Sequence, residues 1–198
     1  MSVALTRQEI IDLVKTKNLI EHFSTAVVSP ASYELRIGSY RDKNSDTPIV
    51  LQEGEGRALP PASSLLIGTM ERINLPLNLL GMMYLRSSYA RLGSVSWFQG
   101  LVDPGYSGKL TIVLHNLSEQ KIPIVGGDRI CHLVFQELTE PADEGYKGLY
   151  QNSPGAQTSV KSIDRFDSPL PEIGFKLFSI PESIQQSQET TKNYKTGK

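Results

Sequence analysis

Three short stretches concentrate the groups that could do chemistry. Residues 99–108, Gln-Gly-Leu-Val-Asp-Pro-Gly-Tyr-Ser-Gly, set a lone carboxylate, Asp103, between an apolar pair and a Pro-Gly turn, with Tyr106 three residues on and glycines on both sides. An Asp at such a corner either caps the turn or acts on something held beside the Tyr. Residues 86–91 read Arg-Ser-Ser-Tyr-Ala-Arg, placing two guanidinium forks, Arg86 and Arg91, and two hydroxyls, Ser87 and Ser88, in six residues. Arg binds phosphate oxygens bidentately and Ser adds neutral donors, so this set suits a phosphate chain. The plainer alternative is a helix N-cap carrying solvated arginines. Gly126-Gly127-Asp128-Arg129 is a turn that adds a further guanidinium, Arg129, at the start of an apolar run. Asp103 together with phosphate-binding loops is the equipment for activating a water against a bound phosphate ester.

Other chemistries lack their residues. The histidines, His22, His115 and His132, show no metal spacing, and the single cysteine, Cys131, allows neither an internal disulfide nor a cysteine zinc site. Cys131 lies in an alternating apolar stretch and reads as a small core residue. No Gly-x-Ser-x-Gly elbow, Walker loop or dinucleotide fingerprint is present, which disfavours covalent catalysis. Lys plus Arg (20) nearly balances Asp plus Glu (21), a net charge of −1 that argues against a generic nucleic-acid or membrane-surface binder. The N-terminus has no basic segment followed by an apolar run, and no stretch approaches 18 apolar residues, so a soluble cytoplasmic protein is expected.

The elements that must position these groups are mostly strands. Thr6-Arg7-Gln8-Glu9 is a capping box, and Ile10, Ile11, Leu13 and Val14 follow at helical spacing as far as Lys17-Asn18. From residue 26 to about 140 short β-type runs alternate with turn residues: Val27-Val28, Tyr33 to Ile37, Ile49 to Leu51, Ser64 to Thr69, Leu79 to Leu85, Leu110 to His115, Lys121 to Val125 and Ile130 to Gln136. That cadence predicts a mainly β fold, a sandwich or barrel with a short N-terminal helix. The length suits one domain with appendages: the barrel and helix over residues 1–140, an arm over 141–168, and an extension over 169–198. The arm carries Gly145, Gly148, Pro154 and Gly155 without periodicity and reads as mobile. In the extension Ile173, Phe175, Leu177 and Phe178 suit one more strand or a contact with a neighbouring subunit, and the polar end reads as disordered.

The order of five segments resembles a known family. "SYELRIG" (32–38), "LRSSYARLG" (85–93), "GLVDPGYSG" (100–108), "GDRICHLVF" (127–135) and "YQNSPGAQTS" (150–159) look like the dCTP deaminase and trimeric dUTPase superfamily over roughly residues 5–160. The resemblance implies a distorted β-barrel or jelly-roll subunit in a homotrimer, sites built at subunit interfaces, and a nucleoside triphosphate bound with Mg²⁺ that its phosphates hold. It implies that Asp103 activates the attacking water and that Tyr106 packs on the deoxyribose. Arg86, Ser87, Ser88, Arg91, Arg129 and His132 are then substrate contacts, as are Tyr150 and Gln151 of a lid.

Within the superfamily one position separates two chemistries. Deaminases carry a glutamate proton shuttle ten residues after the Asp, and here that position is Val113, flanked by Ile112 and Leu114. His132 stands where dUTPases have a phosphate-binding Gln, and Glu34 where they have Asp. The lid segment is of the deaminase type, and Trp97 and Phe98 occupy the region where the base is normally read by backbone. The expectation is a dUTP diphosphatase (dUTP and water to dUMP and pyrophosphate) on a deaminase-type scaffold. The alternatives are a dCTP deaminase, a bifunctional deaminase and dUTPase, and a catalytically inactive nucleotide-binding regulator or structural module.

Overall fold

Thr6 turns the chain into its first helix. In the computed structural model, which describes residues 3–42, 47–95 and 100–159, the Thr6 hydroxyl accepts from the Glu9 N–H at 3.5 Å and the Glu9 carboxylate returns to the Thr6 N–H at 2.8 Å. Asn18 ends the helix in the left-handed region at φ 51°, its N–H reaching Val14 O at 3.1 Å. The elements in chain order are β1 (Val3–Ala4), α1 (Arg7–Lys17), β2 (Ile20–Glu21), β3 (Val28–Ser29), β4 (Ser32–Arg41), β5 (Ile49–Val50), β6 (Gly56–Leu59), β7 (Ser64–Asn74), β8 (Leu79–Leu85), α2 (Ser87–Arg91), β9 (Ser94–Val95), β10 (Leu101–Val102), β11 (Ser107–Asn116), β12 (Ile122–Val125) and β13 (Arg129–Glu137). The fold is mainly β, as the alternation predicts.

The long strands follow from their period. Along β11 Gly108, Leu110, Ile112, Leu114 and Asn116 are buried while Lys109, Thr111, Val113 and His115 are half-buried on the opposite face. The main sheet runs β10-β8-β13-β4-β7-β11-β9 with antiparallel pairing throughout, and β12 with β6 makes a separate two-stranded sheet. β8 matches its predicted bounds, whereas β4, β7 and β11 outrun theirs into polar residues whose backbone still pairs. Strands of two to four residues such as β1, β2, β6, β9 and β10 carry too little period to be read from sequence. The readings placed on Trp97, Phe98, the end of the arm and the extension fall outside the described residues. Among those described, no helix is long and apolar enough to cross a membrane.

β4 is the strand on which the sheet turns. Its first half pairs with β13 (Tyr33 opposite Leu133, Arg36 opposite Arg129), and its second half pairs with β7, starting from Ile37 opposite Thr69. At the changeover the Arg36 N–H donates to a side chain: Oε2 of Glu71 accepts it at 2.9 Å. The other oxygen, Oε1, accepts from Arg36 Nε at 2.6 Å and from the Tyr33 hydroxyl at 3.1 Å. The outer Arg36 nitrogen donates to the carbonyl of His22, which ties in the loop after β2. Glu71 is fully buried, so its charge is tolerable only because three donors converge on it.

Removing the cation alone must therefore be costly. Arg36→Met should lower stability by about 3–5 kcal/mol, the usual result of stranding a buried charge, while the double change Arg36→Met with Glu71→Gln, which removes the charge and keeps an acceptor for the residue 36 N–H, should recover much of that loss. Urea unfolding of the single and double variants measures both.

Candidate active site

β10 delivers Asp103 to the corner where the chain reverses into β11. The corner is closed by backbone, with Tyr106 N–H donating to Asp103 O at 3.1 Å and Gly105 N–H to Leu75 O at 3.0 Å. The Asp103 carboxylate makes no hydrogen bond or ion pair among the described residues; it is exposed and lines a cavity of about 420 Å³. Capping is therefore not what this side chain does here. Gly105, at φ 77°, admits no side chain, because a Cβ there would stand 2.5 Å from the Cα of Gly145 in the arm. A Cβ on Gly108 would stand 2.6 Å from the Tyr106 hydroxyl. The glycines of the motif are thus required by contacts within the protein.

Tyr106 forms part of the cavity wall with its ring and is itself buried. Its hydroxyl donates to Lys109 O at 2.8 Å, and its ring meets Tyr146 edge-on at 5.5 Å. Burial pushes the phenol up to about 12, so it stays a neutral donor through the physiological range. Val113 lines the same cavity beside Leu66, its partner on β7, and Thr111, one step along the same face. A carboxylate is missing at this position, as the sequence requires, and Asp103 is the acidic side chain among the cavity-lining residues.

The stretch read from composition as a mobile arm lies fastened to the barrel over its described part. Tyr146 N–H donates to Pro104 O at 2.8 Å, Asn152 N–H to Ser107 O at 2.7 Å, and Lys109 N–H to Ser153 O at 2.9 Å. Gln151 is the clamp: its Oε1 accepts from Ser107 N–H at 2.8 Å, and its Nε2 donates to the carbonyls of Gly105 at 3.0 Å and Tyr146 at 3.3 Å. Its amide is spent on the corner that carries Asp103. Tyr150, by contrast, lines the cavity. These bonds use backbone and polar side chains, which is why hydrophobic periodicity gives no sign of them.

The remaining candidates gather elsewhere, around Glu34 of β4. This carboxylate is 5% exposed and accepts from Arg129 at 2.7 Å, with Arg86 Nε at 3.5 Å and His132 Nδ1 at 3.9 Å. Ser32 Oγ lies 3.2 Å from the same imidazole nitrogen. Arg86 also donates to the carbonyl of Arg129 at 3.3 Å. One carboxylate facing two guanidiniums leaves a net positive patch, and α2 continues it with exposed Ser87, Ser88 and Arg91. Arg86 stands at the N-cap of α2 without a side-chain cap bond, so the plain helix-cap reading and the phosphate reading share this geometry.

The two groups of candidates are well separated within one chain. Val102 pairs with Gly81 across β10 and β8, so Asp103 lies level with Leu80, six residues before Arg86, which follows the end of β8 at Leu85. That is ~20 Å at the usual rise of a strand. Sequence reasoning named both groups and did not separate them. It also missed Tyr146, Lys109, Thr111 and Gln157 on the cavity wall; the shared parity of Lys109, Thr111 and Val113 was the available signal for two of these. Cys131 is buried, and burial pushes its thiol up to about 12, in keeping with a core role. Among the described residues no group of three His, Cys, Asp or Glu side chains is placed to hold a metal ion.

Comparison with known proteins gives the following likenesses. A family model described as dCTP deaminase-like matches residues 4–138. A dCTP deaminase of Thermococcus sibiricus is 37% identical over 153 residues, covering 76% of this chain and 95% of the relative. A "dCTP deaminase, dUMP-forming" of Persephonella marina is 30% identical over 177 residues, covering 81% of this chain and 98% of the relative. The solved structure of 2′-deoxycytidine 5′-triphosphate deaminase from Agrobacterium tumefaciens superposes with a TM-score of 0.59 at 20% identity, a likeness of fold. It covers 69% of this chain and 48% of that one, so this chain spans about half of its length.

Gln151→Leu removes the three bonds of the clamp, each worth about 1 kcal/mol net. Limited proteolysis should then cut residues 141–159 several-fold faster, while β7, β8 and β13 stay protected.

Proposed function

This chain belongs to the dCTP deaminase-like family, and on that premise we propose that it is an enzyme directing water onto a pyrimidine deoxynucleoside triphosphate held in the Asp103 cavity. The observation that carries this reading is the carboxylate of Asp103, unpartnered and facing a largely apolar cavity beside Tyr106. A carboxylate free of hydrogen bonds can take a proton from water, which is what a general base must do. Tyr106 and Tyr146 supply flat apolar surface for the sugar and base.

The atom that the water attacks decides between two reactions. Attack at C4 of cytosine gives dUTP and ammonia; attack at the α-phosphorus of dUTP gives dUMP and pyrophosphate. The relatives' names support the first better than the dUTP diphosphatase expected from sequence, and the dUMP-forming relative's name joins the two. One observation favours phosphate cleavage as the second reading: Val113 stands on the cavity wall where deamination wants a proton carrier, and Val carries none.

The phosphates are assigned to the Glu34-centred patch, where Arg86 and Arg129 offer forked donors with His132, Ser87, Ser88 and Arg91 around them. Because that patch is ~20 Å from Asp103 along β8, the reading pairs the cavity of one subunit with the patch of another, in the homotrimer that the family resemblance implies. Mg²⁺ enters as the counter-ion of the triphosphate, coordinated by the substrate's own oxygens.

Incubation with dCTP and with dUTP, with ammonia and pyrophosphate measured separately, tests the reading. Ammonia from dCTP establishes deamination, pyrophosphate from dUTP alone establishes the second reading, and neither product removes the enzymatic one. Asp103→Asn keeps the shape and removes the basic oxygen, so either activity should fall by roughly 10²-fold or more with binding largely kept. Light scattering of the unmodified protein should give a trimer, and Arg86→Ala should weaken a triphosphate by roughly tenfold or more while leaving nucleoside binding unchanged.

A further inference from the structure

One residue of the cavity lining carries a polar atom that the fold leaves unanswered. Gln157 lines the cavity from the arm, and its backbone N–H donates to Thr111 Oγ1 at 3.1 Å, which seats the residue over β11. Its side-chain Oε1 is buried and has no hydrogen-bond partner. Among the described residues it is the one buried side-chain nitrogen or oxygen in that condition. Buried polar atoms are almost always satisfied, because leaving one unpaired forfeits its hydration for nothing. Lys109, Thr111 and Tyr150 carry donors on the same cavity lining, and none of them bonds this oxygen.

We propose that Gln157 is a specificity-determining residue whose side-chain amide hydrogen-bonds the pairing edge of the pyrimidine base. This rests on the reading that the cavity takes a pyrimidine deoxynucleoside triphosphate. A primary amide presents an acceptor and a donor side by side. Cytosine shows a donor at N4 next to an acceptor at N3; uracil shows an acceptor at O4 next to a donor at N3. A half-turn of the amide exchanges its oxygen and nitrogen, so the same side chain complements either base. Gln157 therefore selects a pyrimidine edge without choosing between cytosine and uracil. The orphaned oxygen is the cost of that readiness in the free protein, since a site built to bond a polar ligand is left unpaired without it.

Gln157→Leu, of similar size and without polar atoms, separates this role from a structural one. Binding is measured in the Asp103→Asn background, so that turnover does not intervene, with dCTP, dUTP and an abasic deoxyribose triphosphate as probes. The expected result is a rise of roughly tenfold in Kd for dCTP and dUTP alike, unchanged binding of the abasic triphosphate, and a melting temperature of the free protein that is equal or higher. Gln157→Met should repeat the pattern. Unchanged binding of both nucleotides, an equal loss for the abasic probe, or a lowered melting temperature in both variants would overturn the proposal. Failure of the Asp103→Asn parent and of the unmodified protein to bind any of the three probes would overturn it together with the nucleotide reading; binding of the abasic probe as tightly as dCTP and dUTP by the unmodified protein would overturn the base contact alone.

Discussion

The fold depends on a carboxylate that stands in for a strand. Where β4 leaves β13 and takes up β7, its backbone would lose a ladder partner, and Glu71 supplies one by accepting the Arg36 N–H directly. The Arg36 guanidinium and the Tyr33 hydroxyl complete its coordination, and Tyr33 stacks on Phe23 at 5.5 Å. One buried charge thus ties the two halves of the sheet to the loop after β2. An apolar residue could fill that space, but it could not accept the orphaned N–H.

The consequences run outward to both groups of candidate residues. Glu34 and Arg36 lie two apart on β4, so the strand that buries Glu71's partner also presents Glu34 to Arg86 and Arg129. β7 carries Glu71 and also Thr69, whose hydroxyl accepts from Leu110 N–H at 2.9 Å where the β7–β11 pairing shifts register. That irregularity falls between Lys109 and Thr111, the two residues that lead to Val113 on the cavity wall. Arg72, the next residue on β7, bonds Ser107 at 2.8 Å and also reaches Asn152 of the arm. The arm, the Asp103 corner and the buried ion pair are therefore parts of one mechanical unit.

Chemically, the chain divides its equipment. The cavity offers one carboxylate, one lysine and largely apolar walls, and the Glu34 patch offers guanidiniums. Neither suffices for a nucleoside triphosphate, whose base and phosphates ask for opposite surroundings. The separation along β8 is the reason the proposed chemistry is assigned to sites shared between copies. Val113 stands where the family resemblance implies a glutamate, and Asp103 is the acid among the cavity-lining residues.

Several features were legible in the sequence because they are local. The capping box is a contact across three residues, strand alternation is a property of the backbone, and the Asp-Pro-Gly-Tyr corner is held by its own turn. From these alone follow the helix over 7–17, the mainly β class, the family resemblance, and the choice of Asp103, Tyr106 and Val113 as residues to locate, all three of which line one cavity. Other features depend on pairs distant along the chain. Glu71 reads as an ordinary polar residue in "TMERIN" until Arg36, 35 residues away, is brought to 2.6 Å. Gln151 reads as a ligand contact until its amide is found clamping the corner, and the arm reads as loose until β11 is seen beneath it. The division of the candidates into two distant groups was likewise decided by tertiary structure, because adjacency in a list of motifs carries no distance, while strand register does.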